Sequence, residues 1–239
     1  MRITTKAIVL HTVSFSDSAL VAGLYTEQYG TQSYLVNKVR SKSAGNKLSF
    51  FQPLTLVEIE AYHKANTQLQ KLTRISPELS FQSIGYSPVK SSIAFFLAEI
   101  LHKTLRESEA HGDLYAFLCT HIEKLHLSKD EDCSNFHLLF LLGLSRFLGF
   151  APQAHEEGPV GHLYFDLKEG CFTTRLPLHP QHITGIQAQQ FNDLLQQENI
   201  ALNRTDRKAL LNHWITYYSL HIPAMGTLKS LPVLEELFD

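Results

Sequence analysis

The apolar residues of this 239-residue chain change their spacing once, near residue 80. A period of two before that point and a helical period after it cannot both be absorbed by a fold of one secondary-structure type. In residues 3–13, Lys6, Ile8 and Leu10 alternate with Ala7, Val9 and His11, and the polar run Ser14-Phe15-Ser16-Asp17-Ser18 then supplies a turn. Residues 19–26 and 31–37 repeat the β-rich texture on either side of Gly30, a position suited to a positive φ angle. Residues 53–62 alternate again, and residues 68–75 close the series, with a short helical turn expected over 46–51. Five short strands with a longer connection after the third suit a small Greek-key barrel such as the OB-fold. An SH3-like barrel has the same strand count, and periodicity does not separate the two.

After residue 86 the pattern is helical. Ser87-Pro88 sets a serine N-cap before a proline at the first helical position, and Ile93, Phe96, Leu97, Ile100, Leu101 and Leu105 follow at helical spacing. Asp113 is expected to cap a second helix carrying Leu114, Phe117, Leu118, Ile122 and Leu125, and Ser134 a third over residues 136–148. That third helix is apolar on nearly all sides, which predicts a central position, and Gly149 ends it. Residues 152–182 read as an irregular insert rich in Gly, Pro and His, and further helices are expected over 186–197, 206–221 and 231–237. The fold class expected is therefore α+β: an N-terminal OB-fold β-barrel at 1–80, then an α-helical C-terminal domain at 81–239 with its irregular insert.

Charge divides along the same line. Residues 1–80 hold nine Lys/Arg against five Asp/Glu, a net of +4; the remainder holds twelve against eighteen, a net of −6. The positive charge is densest in a loop that follows the third strand, where Lys38, Arg40, Lys42 and Lys47 stand without an acidic residue among them. Phosphate is one partner for such a loop; solvated surface is the other. A sequence pI near 6.7 argues against a protein that coats DNA with its whole surface, so phosphate contact belongs to the first third. Cys119, Cys133 and Cys171 are odd in number and widely spaced, which fits thiols in a reducing, cytoplasmic setting. No run of about 18 apolar residues is present to form a membrane-spanning helix.

The run Ala7-Ile8-Val9-Leu10, Ser16-Asp17-Ser18, Tyr25-Thr26, Gly30 and Leu35-Val36-Asn37-Lys38-Val39-Arg40 resembles the opening of the RecO recombination and repair proteins. The resemblance continues through Phe51-Gln52-Pro53-Leu54 and Leu56-Val57-Glu58-Ile59. It returns in Phe136-His137-Leu138-Leu139, in Leu148-Gly149-Phe150-Ala151-Pro152, and in Tyr217-Tyr218 with Leu228-Lys229-Ser230. It implies a DNA-binding repair mediator with no catalytic activity. Such a protein binds single- and double-stranded DNA, anneals strands, and acts with RecR to load RecA on DNA covered by single-strand-binding protein, whose acidic tail it also recognises. In that reading Lys38, Arg40, Lys42 and Lys47 contact phosphates, and Arg2, Lys6, Lys71 and Arg74 support them. Tyr25 and Tyr34 are either base-stacking or core residues. Arg146, with Lys103 or Arg106, would edge an apolar pocket for the acidic tail, or else stand as ordinary helix-surface charges.

Two departures from the family pattern stand out. Where the family commonly has Lys-Gly-Ala-Arg, Asn37 and Lys38 replace the Lys-Gly pair, moving the charge one position along a strand whose residues alternate in direction. Many members also carry a four-cysteine zinc site in the insert. Here only Cys171 lies there, with His155, His162, His179 and His182, so no metal or other cofactor is expected and packing should hold the insert.

Other chemistry finds little support. The phosphate-cradling and dinucleotide glycine motifs are missing. His102, His121, His126, His137 and His213 lie in expected helices without matched ligands, and Glu235-Glu236 reads as a solvated helix face. The competing reading from another class is a protein-interaction scaffold whose barrel does not bind nucleic acid.

Overall fold

The computed structural model describes all residues except 38–46, 65–66, 79–82, 107–108, 157–161, 197–200 and 238–239. The expected phosphate contacts Lys38, Arg40 and Lys42 lie outside the described residues, as does the side chain of Lys47. The chain packs as two compact units, Met1–Asp130 and Glu131–Asp239.

In the first unit, β1 (Arg2–Ser14), β2 (Leu20–Thr26), β3 (Gly30–Val36), β4 (Leu56–Tyr62) and β5 (Leu69–Pro77) close into a barrel of order β1-β2-β3-β5-β4. β3 and β5 run parallel; every other barrel pair is antiparallel. Parallel neighbours cannot be joined by a hairpin, so the chain passes through β4 before β5 comes alongside β3. That crossover makes the barrel OB-like and answers the alternative the periodicity left open. Inside are Ile3, Ala7, Val9, Leu24, Tyr34, Val57, Ile59 and Ala61, and Phe51 joins them from the 3-10 turn Lys47–Phe51. Gly30 sits at φ +57°, as the tight connection before β3 requires.

Helices α1 (Ser83–Tyr86), α2 (Pro88–Thr104) and α3 (Gly112–Leu127) complete this unit. Ser87 caps α2 by accepting from the Lys90 N–H at 3.1 Å. The cap of α3 is His111, whose Nδ1 accepts from the Leu114 N–H; the expected cap, Asp113, sits instead in the first turn, where its charge suits the helix dipole. The barrel and these helices are tied by Thr31 Oγ1, which donates to the Leu105 carbonyl at 2.7 Å, and by the facing rings of Tyr25 and Tyr115.

The second unit holds α4 (Phe136–Phe147), α5 (Gly185–Leu195), α6 (Arg204–His221) and α7 (Leu231–Leu237). The insert is more regular than its sequence suggests. β6 (Tyr164–Asp166), β7 (Cys171–Thr173) and β8 (His182–Ile183) form a sheet of order β7-β6-β8. Strands of two and three residues are too short to leave an alternation signal. Phe165 centres this sheet, packing on Phe172, Phe191 and Tyr217. α4 is central, as its composition predicts, and Tyr218 Oη donates to its Leu141 carbonyl at 2.7 Å. Its N-cap is Asn135, not Ser134, and the Asn135 side chain accepts from Arg207 Nε.

His137 on α4 is fully buried, and burial together with the nearby Arg207 charge pushes its pKa down from 6.5 to about 3. The neutral ring is thus the folded form, while the unfolded chain takes up a proton once pH falls below about 6.5. Stability is intact above that value and is lost as pH drops toward 3. From His137 alone, going from pH 7 to pH 5 should cost the unit about 2 kcal/mol. Urea unfolding followed by Trp214, the one tryptophan and fully buried in this unit, checks this. A midpoint that does not move between the two pH values contradicts it.

Candidate nucleic-acid interface

Strand parity decides which barrel side chains face outward. On β1, Ile3, Thr5 and Ala7 are buried, so Arg2, Thr4 and Lys6 point away from the core. On β4, Val57, Ile59 and Ala61 are buried, and Glu58, Glu60 and Tyr62 take the outer face. Register then joins the strands into rows. Arg2 pairs with Tyr62, Tyr62 with Lys71, and Lys71 with Leu35, so one row crosses β1, β4, β5 and β3. Tyr62 is 48% exposed in this row, with a cation on each side. The chain leaves β3 at Val36, one residue past the row's end, and enters the segment that carries Lys38, Arg40 and Lys42.

The neighbouring row carries Thr4, Glu60 and Arg74. A bulge between Glu60 and Ala61 places Thr73 over the Glu60 carbonyl, to which it donates at 2.8 Å. Arg2 makes a short ion pair with Glu60, and Arg74 reaches the same carboxylate at 3.6 Å. The hydrogen bond from Arg2 and the two positive charges hold the Glu60 carboxyl below its usual range. Lys6 pairs with Glu78, whose hydrogen bond and charge raise the lysine's pKa.

Of the four supporting cations, then, Arg2, Arg74 and Lys6 already hold carboxylates, while Lys71 makes no ion pair among the described residues. These pairs are exposed and contribute little to stability. A phosphate presents the same kind of oxyanion, so exchanging it for a carboxylate is feasible, and the carboxylates meanwhile order the cations on the outer face. Two guanidinium groups on one carboxylate leave the Arg2–Glu60–Arg74 group net positive. Glu60 carries no such signal in the sequence, because its double pairing exists only through the β1–β4–β5 register. Tyr62 was missed although its signal was present: it shares the parity of Glu58 and Glu60, hence their outward direction. Tyr25 and Tyr34 are 3% and 0% exposed and belong to the core.

The residues weighed for an acidic peptide lie in different units. Arg146 is exposed on the last turn of α4. Lys103 and Arg106 follow one another at the end of α2, where burial first and then their charges lower the pKa of His102. Within the second unit, the described residues also form a depression at the start of α6, lined by His137, Arg204, Arg207, Lys208 and Leu211, with Leu234 and Glu235 of α7 against it.

In the insert, Cys171 stands opposite Asp166 across β6 and β7. The carboxylate accepts from the Lys168 N–H and lies 3.2 Å from His179 Nε2, while His182 Nδ1 meets the His179 carbonyl. The His155 backbone is clasped by Asn192, which both accepts from its N–H and donates to its carbonyl. His162 is exposed. With a single cysteine present, these residues do not fit a four-cysteine zinc site, and among the described residues no three His, Cys, Asp or Glu side chains gather as metal ligands. All three cysteines are thiols. No helix among the described residues is long and apolar enough to cross a membrane.

Comparison with known proteins bears on the whole chain. The family model described as Recombination protein O N terminal matches residues 1–81, and that described as Recombination protein O C terminal matches residues 86–232. A DNA repair protein RecO of Bacteroides fragilis is 40% identical over 98% of both chains. One from Phocaeicola vulgatus is 37% identical over 98% of both, and one from Flavobacterium johnsoniae 35% over 100% of both.

Proposed function

We propose, from the premise that this chain belongs to the RecO family of DNA repair proteins, that its barrel holds DNA on the face crossed by Arg2, Tyr62 and Lys71. The observation that carries the reading is that row itself: an exposed aromatic between two cations, ending where the basic segment 38–47 begins. Cations spaced across strands follow a phosphate backbone, and an aromatic face between them accepts an unpaired base of any sequence. Lys38, Arg40, Lys42 and Lys47 supply the main phosphate contacts, with Arg2, Lys6, Lys71 and Arg74 beside them. Duplex DNA meets only the cations, because its bases are already stacked.

The activity that follows is mediation without bond chemistry. A surface that neutralises phosphates lowers the repulsion between two strands, which is the physical need of annealing. In this reading the chain acts in the cytoplasm without a cofactor, with its nucleic-acid domain at 1–80 and its partner-binding helical domain at 81–239. It anneals complementary strands and, with RecR, helps load RecA. The acidic tail of single-strand-binding protein is recognised by the helical part, where Arg146, Lys103 and Arg106 are the cations assigned to it.

Tyr62 gives the test. Tyr62→Ala should weaken binding of an oligo-dT strand about tenfold, the effect of losing one stacked base, with the salt slope unchanged and duplex binding little altered. Tyr62→Phe should retain binding. Glu60→Gln, which releases Arg2 and Arg74 toward phosphate, should strengthen both single-strand and duplex binding at low salt. Equal losses for single-strand and duplex DNA in Tyr62→Ala would remove the stacking role, and unchanged affinity in all three variants would remove this face from the interface.

A further inference from the structure

We propose that the start of α6 is a docking site for an acidic amphipathic helix, and that α7 is its tethered occupant, closing the site until a competing acidic segment displaces it. This inference concerns the second unit alone and does not depend on the barrel's binding DNA.

The cations come first. α6 begins Arg204-Thr205-Asp206-Arg207-Lys208, placing three positive charges in its first five residues. The N-terminus of a helix carries the positive end of its dipole, so cations are unfavourable there and a structural role alone would favour acids. One of the three is held within the fold, since Arg207 donates from Nε to Asn135 and from Nη2 to the Leu202 carbonyl. Arg204 and Lys208 are exposed at the rim of the depression, whose apolar side is formed by Leu211. A basic rim beside an apolar floor is the chemistry that takes an acidic amphipathic helix.

α7 has the complementary chemistry. Its sequence Leu231-Pro232-Val233-Leu234-Glu235-Glu236-Leu237 carries two adjacent carboxylates next to leucines and no cation. Leu234 is fully buried, and Glu235 reaches Lys208 Nζ at 3.2 Å. Glu235, read from sequence as part of a solvated face, is thus largely covered and paired. A helix of seven residues is marginal by itself, so α7 is held chiefly by docking and has little of its own to lose on release. A covered site binds a second ligand more weakly, by the fraction of time it stands open.

A fluorescein-labelled peptide with the sequence of residues 231–239 serves as probe, titrated into the full chain and followed by anisotropy. Leu234→Ala combined with Glu235→Lys should loosen α7 and tighten peptide binding about tenfold relative to the unmodified chain. Glu235→Gln alone should give a smaller gain in the same direction. It removes only one surface ion pair, so it decides the matter should the double variant lose its fold, as read from Trp214 emission. Adding Arg204→Glu and Lys208→Glu to either variant should abolish the gain. Binding no tighter than that of the unmodified chain in Glu235→Gln, or a gain that survives the two charge reversals, overturns the proposal.

Discussion

Replacing Lys38, Arg40 and Lys42 together with alanine is expected to weaken single-stranded DNA binding about 100-fold at 0.1 M salt. The magnitude follows from counterion release. Each phosphate contact on a single strand contributes about 0.7 to the slope of log affinity against log salt, so three contacts contribute about 2. If the variant and the unmodified chain converge near 1 M salt, a slope difference of about 2 becomes about 100-fold at one-tenth of that concentration. The effect should be shared by single strands and duplexes of any sequence, because phosphate contacts position DNA and read no bases. That separates it from Tyr62→Ala, which should act on single strands and leave the slope alone. Titrations at four or more salt concentrations provide the measurement, and a parallel pair of lines would contradict the assignment even if affinity fell.

Phe165→Ala should be the most damaging single change in the second unit. Phe165 is fully buried and its ring packs on Phe172 at 5.0 Å, on Phe191 at 4.7 Å and on Tyr217 at 6.2 Å. Truncating such a residue removes apolar burial and leaves a cavity that the short β6-β7-β8 sheet has little means to fill. The expected cost is about 3–5 kcal/mol, lowering the unit's melting temperature by more than about 10 °C. The same melt should be indifferent to EDTA and to added zinc, since the insert is held by this aromatic cluster and by the Asn192 clasp on His155. A chelator that lowers the melting temperature of the unmodified chain, or a Phe165→Ala variant that melts normally, would assign the insert's stability to something other than packing.

The strands of the barrel were legible because one buried face forces alternation, and α2 because Ser87-Pro88 is an unambiguous start. The parallel pairing of β3 with β5 was not, since period-2 patterning is blind to which strand lies alongside. The interface was legible in part for the same reason. Arg2, Lys71 and Arg74 could be chosen as cations on strands, but their common dependence on Tyr62 and Glu60 arises only when β1, β4 and β5 are set in register. Departures from the expected caps have a local cause. Asn135 is drawn away from capping α4 by Arg207, a partner 72 residues distant, and His111 takes a role usually filled by shorter polar side chains. The cations of α6 carried a signal in their order, three positive charges at the wrong end of a helix, that periodicity alone does not weigh.

The most direct test of the barrel face as a DNA surface is photo-crosslinking of the full chain to an oligo-dT strand containing 4-thiothymidine, with the joined peptides mapped by mass spectrometry. Crosslinks should fall on Tyr62 and within residues 38–47, and Glu60→Gln should strengthen them at low salt. Crosslinks confined to residues 131–239, with none on the barrel, would contradict the assignment.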